Sequence, residues 1–186
     1  MKKLFFILFV SGCLGLVSCD PAKQYSTEIS KIDSCLTVIN DINEKYNGIE
    51  FDSLALMVDH VLRNEDTLKK YYNPDTLSMD IGVRMNDCKG IRKTLKGVRT
   101  KETDFKIEID ELTAQFENLK KDISEGVLTK EQVNDYLARE LFDLNILDVS
   151  FSDFYENQLI QKKYYYESVP YIDDLIVEIK NEIPEE

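Results

Sequence analysis

Between Leu77 and Ile123 the chain reads LSMDIGVRMNDCKGIRKTLKGVRTKETDFKIEIDELTAQFENLKKDI. Steps of alternately four and three residues pick out Leu77, Ile81, Arg84, Cys88, Ile91, Leu95, Val98, Glu102, Phe105, Ile109, Leu112, Phe116, Leu119 and Ile123. Twelve of these fourteen positions are apolar, and the phase never slips. Side chains at this spacing line one edge of an α-helix. A strict 3.5-residue period winds such a helix on a partner in a left-handed supercoil. The spacing predicts one helix over 76–124, about 74 Å long at 1.5 Å per residue. Gly97, Thr100 and Thr103 are weak helix formers and Thr103-Asp104 suits a helix start, so a break near Thr100 is the alternative.

The same period extends on both sides. Tyr25, Ile29, Ile32, Leu36, Ile39 and Tyr46 mark a first helix over 24–47, with Asn47-Gly48 suited to a left-handed C-terminal residue. Asp52 is a candidate N-cap for a second helix that buries Leu54, Val58, Val61, Leu68 and Tyr72 and stops before Asn73-Pro74. Gly126 closes the long helix, and Thr129 with Gln132 forms a capping box for a fourth helix running to Glu167. Pro170 suits the first turn of a short terminal helix over Ile172, Leu175, Ile176 and Ile179. No strand-like alternation competes. The expected fold is all-α, an antiparallel helical bundle with a long coiled-coil-like helical hairpin, forming a single domain over 25–183.

Short turns make neighbours antiparallel. If the first two helices fold back on each other, Cys35 and Cys88 reach similar heights and a disulfide between them is expected. Two buried free thiols are the alternative. In that register the first two helices reach only to Val98, and the hairpin beyond it projects as an arm. A break near Thr100 would instead fold the halves into a compact bundle.

The first 19 residues, MKKLFFILFVSGCLGLVSC, have a different character. Lys2 and Lys3 precede an apolar run, Leu4 to Leu14, that has the form of a secretory signal and is too short to span a bilayer. Its end, Leu16-Val17-Ser18-Cys19, resembles the lipobox of bacterial lipoproteins. That resemblance implies a signal peptide over 1–18, diacylglycerol and palmitate-type acylation at Cys19, and a short tether over 19–24. It also implies a membrane-anchored place in the cell envelope, facing periplasm or exterior. Val10-Ser11-Gly12-Cys13 is a second match, but it leaves too short an apolar core before Cys13. Cleavage before Cys19 removes Lys2 and Lys3 and no acid, taking the net charge from −12 to −14.

That charge opposes nucleic-acid binding, which needs clustered cations to displace counterions. Little points to catalysis. His60 is the one histidine, without partners at metal-ligand spacing, so no metal or cofactor is expected, and no catalytic residue is assigned. A Cys35–His60 nucleophile pair would require the fold to bring the two together. Calcium-loop, Walker, GxSxG and HExxH patterns are absent from the sequence.

The fourth helix carries a second apolar face. Phe142, Ile146, Val149, Ile160 and Tyr164 lie opposite its main stripe, and the terminal helix, folding back, would cover Ile160 and Tyr164. Phe142, Ile146 and Val149 are then either core or a docking patch. Tyr164, Tyr165 and Tyr166 turn 100° per step, so they cannot all face inward. Together these six residues are the expected partner-binding surface. The expectation is a non-enzymatic, lipid-anchored scaffold or docking protein with a protein partner. The alternatives are a ligand-binding bundle with an aromatic-lined cavity, or an envelope enzyme with an acidic site.

Overall fold

The computed structural model describes residues 21–182, so both candidate lipidation residues, Cys13 and Cys19, lie outside the described residues. The order is α1 (Pro21–Gln24), α2 (Ser26–Asn47), α3 (Phe51–Tyr71), α4 (Met79–Thr94), α5 (Val98–Glu125) and α6 (Lys130–Glu182). Every described element is helical, and the helices build an antiparallel bundle with a long hairpin.

The bundle has three strands of helix, two of them jointed. α2 and α3 do not pack on each other, nor do α4 and α5. Each pair instead runs end to end along α6, which spans 53 residues and so about 80 Å. Phe105 of α5 meets Phe151 and Phe154 of α6, while Arg84 of α4 reaches Glu167 and Ser168 farther along. α2 runs antiparallel to α5, through Tyr46 Oη to the Glu102 carbonyl (3.0 Å) and Lys120 to Asp33. α3 runs parallel to α6, through Phe51 stacked on Phe154 and His60 on Tyr165 and Asp173.

The long row from Leu77 to Ile123 is therefore two helices. Gly97 takes φ +73°, in the left-handed region open to glycine, and α5 restarts at Val98. Leu95 and Val98 on either side of the break are both buried, because both segments pack on α6. Shared packing keeps the phase across a backbone interruption. The first segment begins at Met79, where the Ser78 hydroxyl accepts from Ile81 N–H.

Pro170 does not start a helix. α6 passes straight through it. A proline inside a helix costs about 3 kcal/mol, since its missing N–H strands the carbonyl four residues back. Val169 and Ile172 beside it are buried, and Arg84 grips the Glu167 carbonyl and Ser168, whose hydroxyl donates to Asp87 (2.6 Å). The segment after Pro170 consequently continues outward and does not cover Ile160 or Tyr164.

Smaller features divide. The Thr129–Gln132 capping box forms in both directions (2.9 and 3.3 Å), and Gly126 is left-handed at φ +69°. Gly48 is right-handed at φ −83°, and Asp52 sits inside the first turn of α3 and pairs with Arg99 instead of capping.

Collinear α2 and α3 also separate the cysteines. Cys35 and Cys88 are free and buried, on helices that make no contact. The α3 residue level with Cys88, Asn64, stands about 40 Å along the strand from Cys35 at 1.5 Å per residue, against the 7 Å a disulfide allows. The expected bridge does not form, and the Cys35–His60 pair is excluded by the same spacing.

The two joints, residues 48–50 and 95–97, fall at one height, opposite Tyr155–Gln158 of α6. Ties cluster there: Asp52 with Arg99, Glu50 with Lys162, and Tyr46 with Glu102. The halves on either side differ in composition. Around α5 the core is Phe105, Ile109, Leu112, Phe116, Leu119 and Ile123. The buried polar residues Asn64, Gln158, Gln161 and Ser168 lie at the joint or on the α3–α4 side.

Candidate functional site

α6 buries one row along its length, including Val133, Leu137, Leu144, Leu147, Phe151, Phe154, Ile172 and Ile176. The opposite row is open. Phe142, Ile146 and Val149 are 64%, 49% and 54% exposed, and Ile160, Tyr164 and Tyr171 extend the row beyond the interrupting Asp153 and Glu156. Neither the jointed strands nor the C-terminal segment reaches this side. Of the two settings the sequence allows for Phe142, Ile146 and Val149, core and surface, the fold takes the surface.

The three tyrosines part company. Tyr164 and Tyr166 are exposed, the latter at 66% and about 120° round the helix from the Phe142 row. Tyr165 turns inward and is half-buried against α3. Because 24 residues of helix separate Tyr166 from Phe142, about 36 Å, the six residues do not form one continuous surface.

Tyr165 belongs to a polar tie between α3 and α6. The Tyr165 hydroxyl lies 2.7 Å from His60 Nδ1, and His60 Nε2 lies 3.0 Å from Asp173 Oδ1. Asn64 Nδ2 donates to the same oxygen at 2.6 Å. With the ring proton on Nε2, Nε2–H donates to Asp173 and Nδ1 accepts from the tyrosine, so both nitrogens are engaged. Burial, then the Asp173 charge, pushes the Tyr165 phenol up, which keeps it neutral. The arrangement satisfies its members and pins two helices together.

Beside it, α3, α4 and α6 enclose an open groove of about 480 Å³. Its floor includes Leu68, Cys88 and Ile172, and Tyr72 is the one aromatic residue lining it. Aromatic side chains around the joint instead pack on each other, as in the Phe105–Phe151–Tyr155 contacts. Cys88 offers no nucleophile at neutral pH. Burial first, then Asp87, Glu65 and Asp173, pushes its thiol up to about 11.

A smaller recess of about 230 Å³ lies between α5 and α6, next to the open row. Leu112, Ile146 and Leu147 line it together with Glu108, Glu111 and Asp143. Burial, then Asp104 and Glu111, raises the Glu108 carboxyl, and burial, then Asp143, raises Glu140 nearby. Sequence reasoning finds Phe142 and Ile146 but not the Glu108–Asp143 juxtaposition, which depends on the α5–α6 register.

Among the described residues no group of three or more His, Cys, Asp or Glu is arranged to hold a metal ion, and no helix is long and apolar enough to cross a membrane. Comparison with protein-family models, with curated proteins and with solved structures gives no match for this chain.

Proposed function

We propose that this chain is a lipid-anchored, non-enzymatic docking protein of a bacterial cell envelope, held by acylated Cys19 and engaging a protein partner through the open face of α6. The observation that carries the reading is the exposure of Phe142, Ile146 and Val149, three large apolar side chains on consecutive turns that nothing in the bundle covers. The lipobox-like Leu16-Val17-Ser18-Cys19 supports the anchor, because a diacylated cysteine holds a protein at a bilayer without a spanning helix. A long helical body with an open apolar face along one side suits assembly better than turnover.

The test places a photocrosslinking amino acid at Val149 in the full-length protein and irradiates intact envelopes. One discrete adduct, lost in Phe142→Asp/Ile146→Asp, is the expected result. Identical adduct patterns in both proteins, or none, would refute the docking role. Cys19→Ala should release the protein from membranes. Retention at the membrane would remove the anchor from the reading.

A further inference from the structure

Resting on the docking role of this face, we propose that its partner is a cationic amphipathic helix. The apolar residues Phe142, Ile146 and Val149 follow i, i+4, i+7 spacing, the edge that a second helix meets with its own row of apolar side chains. What surrounds them is negative. Glu131, Asp135, Asp153 and Glu156 continue the same edge of α6 in both directions and Asp143 flanks it, with Arg139 the single cation between Glu131 and Glu156. Across the recess α5 adds Glu108 and Glu111.

These charges are uncompensated. Several acids elsewhere find cations, Glu65 with Arg92, Asp33 with Lys120, Asp52 with Arg99 and Glu50 with Lys162, while the cluster here is distinguished by surrounding an apolar strip. Among the described residues, Glu108, Glu111, Glu131, Asp135, Asp143, Asp153 and Glu156 have no cation within ion-pair distance. Burial first, and then the neighbouring Asp104 and Glu111 charges, raises the Glu108 carboxyl at the edge of this face. An apolar strip set in unpaired carboxylates fits a helix with leucine-like residues on one edge and Lys or Arg on its flanks. A second copy of this face would set carboxylates against carboxylates, and an anionic bilayer would be repelled in the same way.

The test uses the full-length lipidated protein in phosphatidylcholine nanodiscs, with empty nanodiscs as the blank. The probe is an 18-residue, lactam-stapled helix of Ala and Lys with three Leu at i, i+4 and i+7, followed by fluorescence anisotropy. Three relatives accompany it: Leu scattered round the helix, Lys replaced by Gln, and Lys replaced by Glu. The expected order is tight binding of the Lys helix, at least tenfold weaker binding of the scattered and Gln peptides, and none of the Glu peptide. Raising salt from 50 to 500 mM should weaken the Lys helix at least tenfold.

Phe142→Gln/Ile146→Gln removes the apolar strip without adding charge and should cost at least tenfold. Glu108→Gln/Glu111→Gln/Asp143→Asn should cost several-fold and flatten the salt dependence. All five positions are exposed, and circular dichroism checks that the bundle is intact. Equal, salt-independent binding of the Gln and Lys helices would overturn the cationic partner while leaving the docking role to the envelope crosslink. Binding that survives Phe142→Gln/Ile146→Gln, or no binding of the Lys helix, would overturn it as well.

Discussion

Pro170→Ala tests the spine of the molecule, because its sign depends on whether α6 runs through residue 170. In the observed helix the ring removes one N–H donor and crowds the carbonyl of Tyr166, a cost of about 3 kcal/mol. Alanine restores the donor and relieves the crowding. It also frees the unfolded chain, which returns about 0.4–1 kcal/mol. Pro170 is exposed, so no core packing is lost. The net expectation is stabilisation by about 2 kcal/mol, or roughly 4–8 °C in Tm for a chain of this size. Urea unfolding followed by circular dichroism measures it, with a higher midpoint at an unchanged slope. Were the chain to turn at Pro170 and begin a new helix there, proline would occupy a favoured first-turn site and alanine would lower the midpoint. An unchanged or lowered midpoint would thus refute the continuous α6, and with it the exposure of Ile160 and Tyr164.

Four further outcomes follow from the packing and the charges. Phe116→Ala empties a fully buried site on α5 and should cost about 3–5 kcal/mol in the same urea titration. Cys88 should resist iodoacetamide in the folded protein until the pH approaches 11, since only the thiolate attacks, whereas in denaturant it should alkylate at ordinary thiol pH. Adding dithiothreitol should leave Tm unchanged, because no disulfide is present to reduce. Glu108 and Glu140 have folded pKa values above their unfolded ones, so the folded state binds their protons more tightly. Their contribution to stability is present below the unfolded carboxylate pKa and is lost as pH rises through the raised folded values. Glu108→Gln/Glu140→Gln should therefore raise Tm at pH 7 and leave it little changed near pH 4.

The helical class and the buried rows were legible because a 3.5-residue repeat of apolar side chains has one structural meaning. Ile109, Leu112, Phe116, Leu119 and Ile123 are all buried as that repeat requires. Connectivity was harder to read. Leu95 and Val98 keep phase across Gly97 because both lie on α6, so periodicity reports the partner's surface and is blind to a local change of φ. Residues 48–50 resemble a reversal in composition, yet Gly48 stays right-handed and the chain carries on. That one turn moved Cys35 far from Cys88. Pro170 misled in the opposite direction, since the grip of Arg84 on the Glu167 carbonyl and Ser168, which carries the helix past it, comes from α4. For the candidate site, the wheel position of Phe142 and Ile146 marked the open face, while the flanking Glu108 and Glu111 needed the fold.

The matched interruptions at 48–50 and 95–97 leave α6 as the one unbroken backbone at mid-length. Phe51 stacked on Phe154, and Phe105 set against Phe151 and Phe154, splice the severed strands to it there. The polar ties at the same level, Asp52–Arg99 and Glu50–Lys162, are charge pairs that electrolyte weakens, and exposed pairs of this kind contribute little. The aromatic splice, more than the ions, therefore holds the two halves in line.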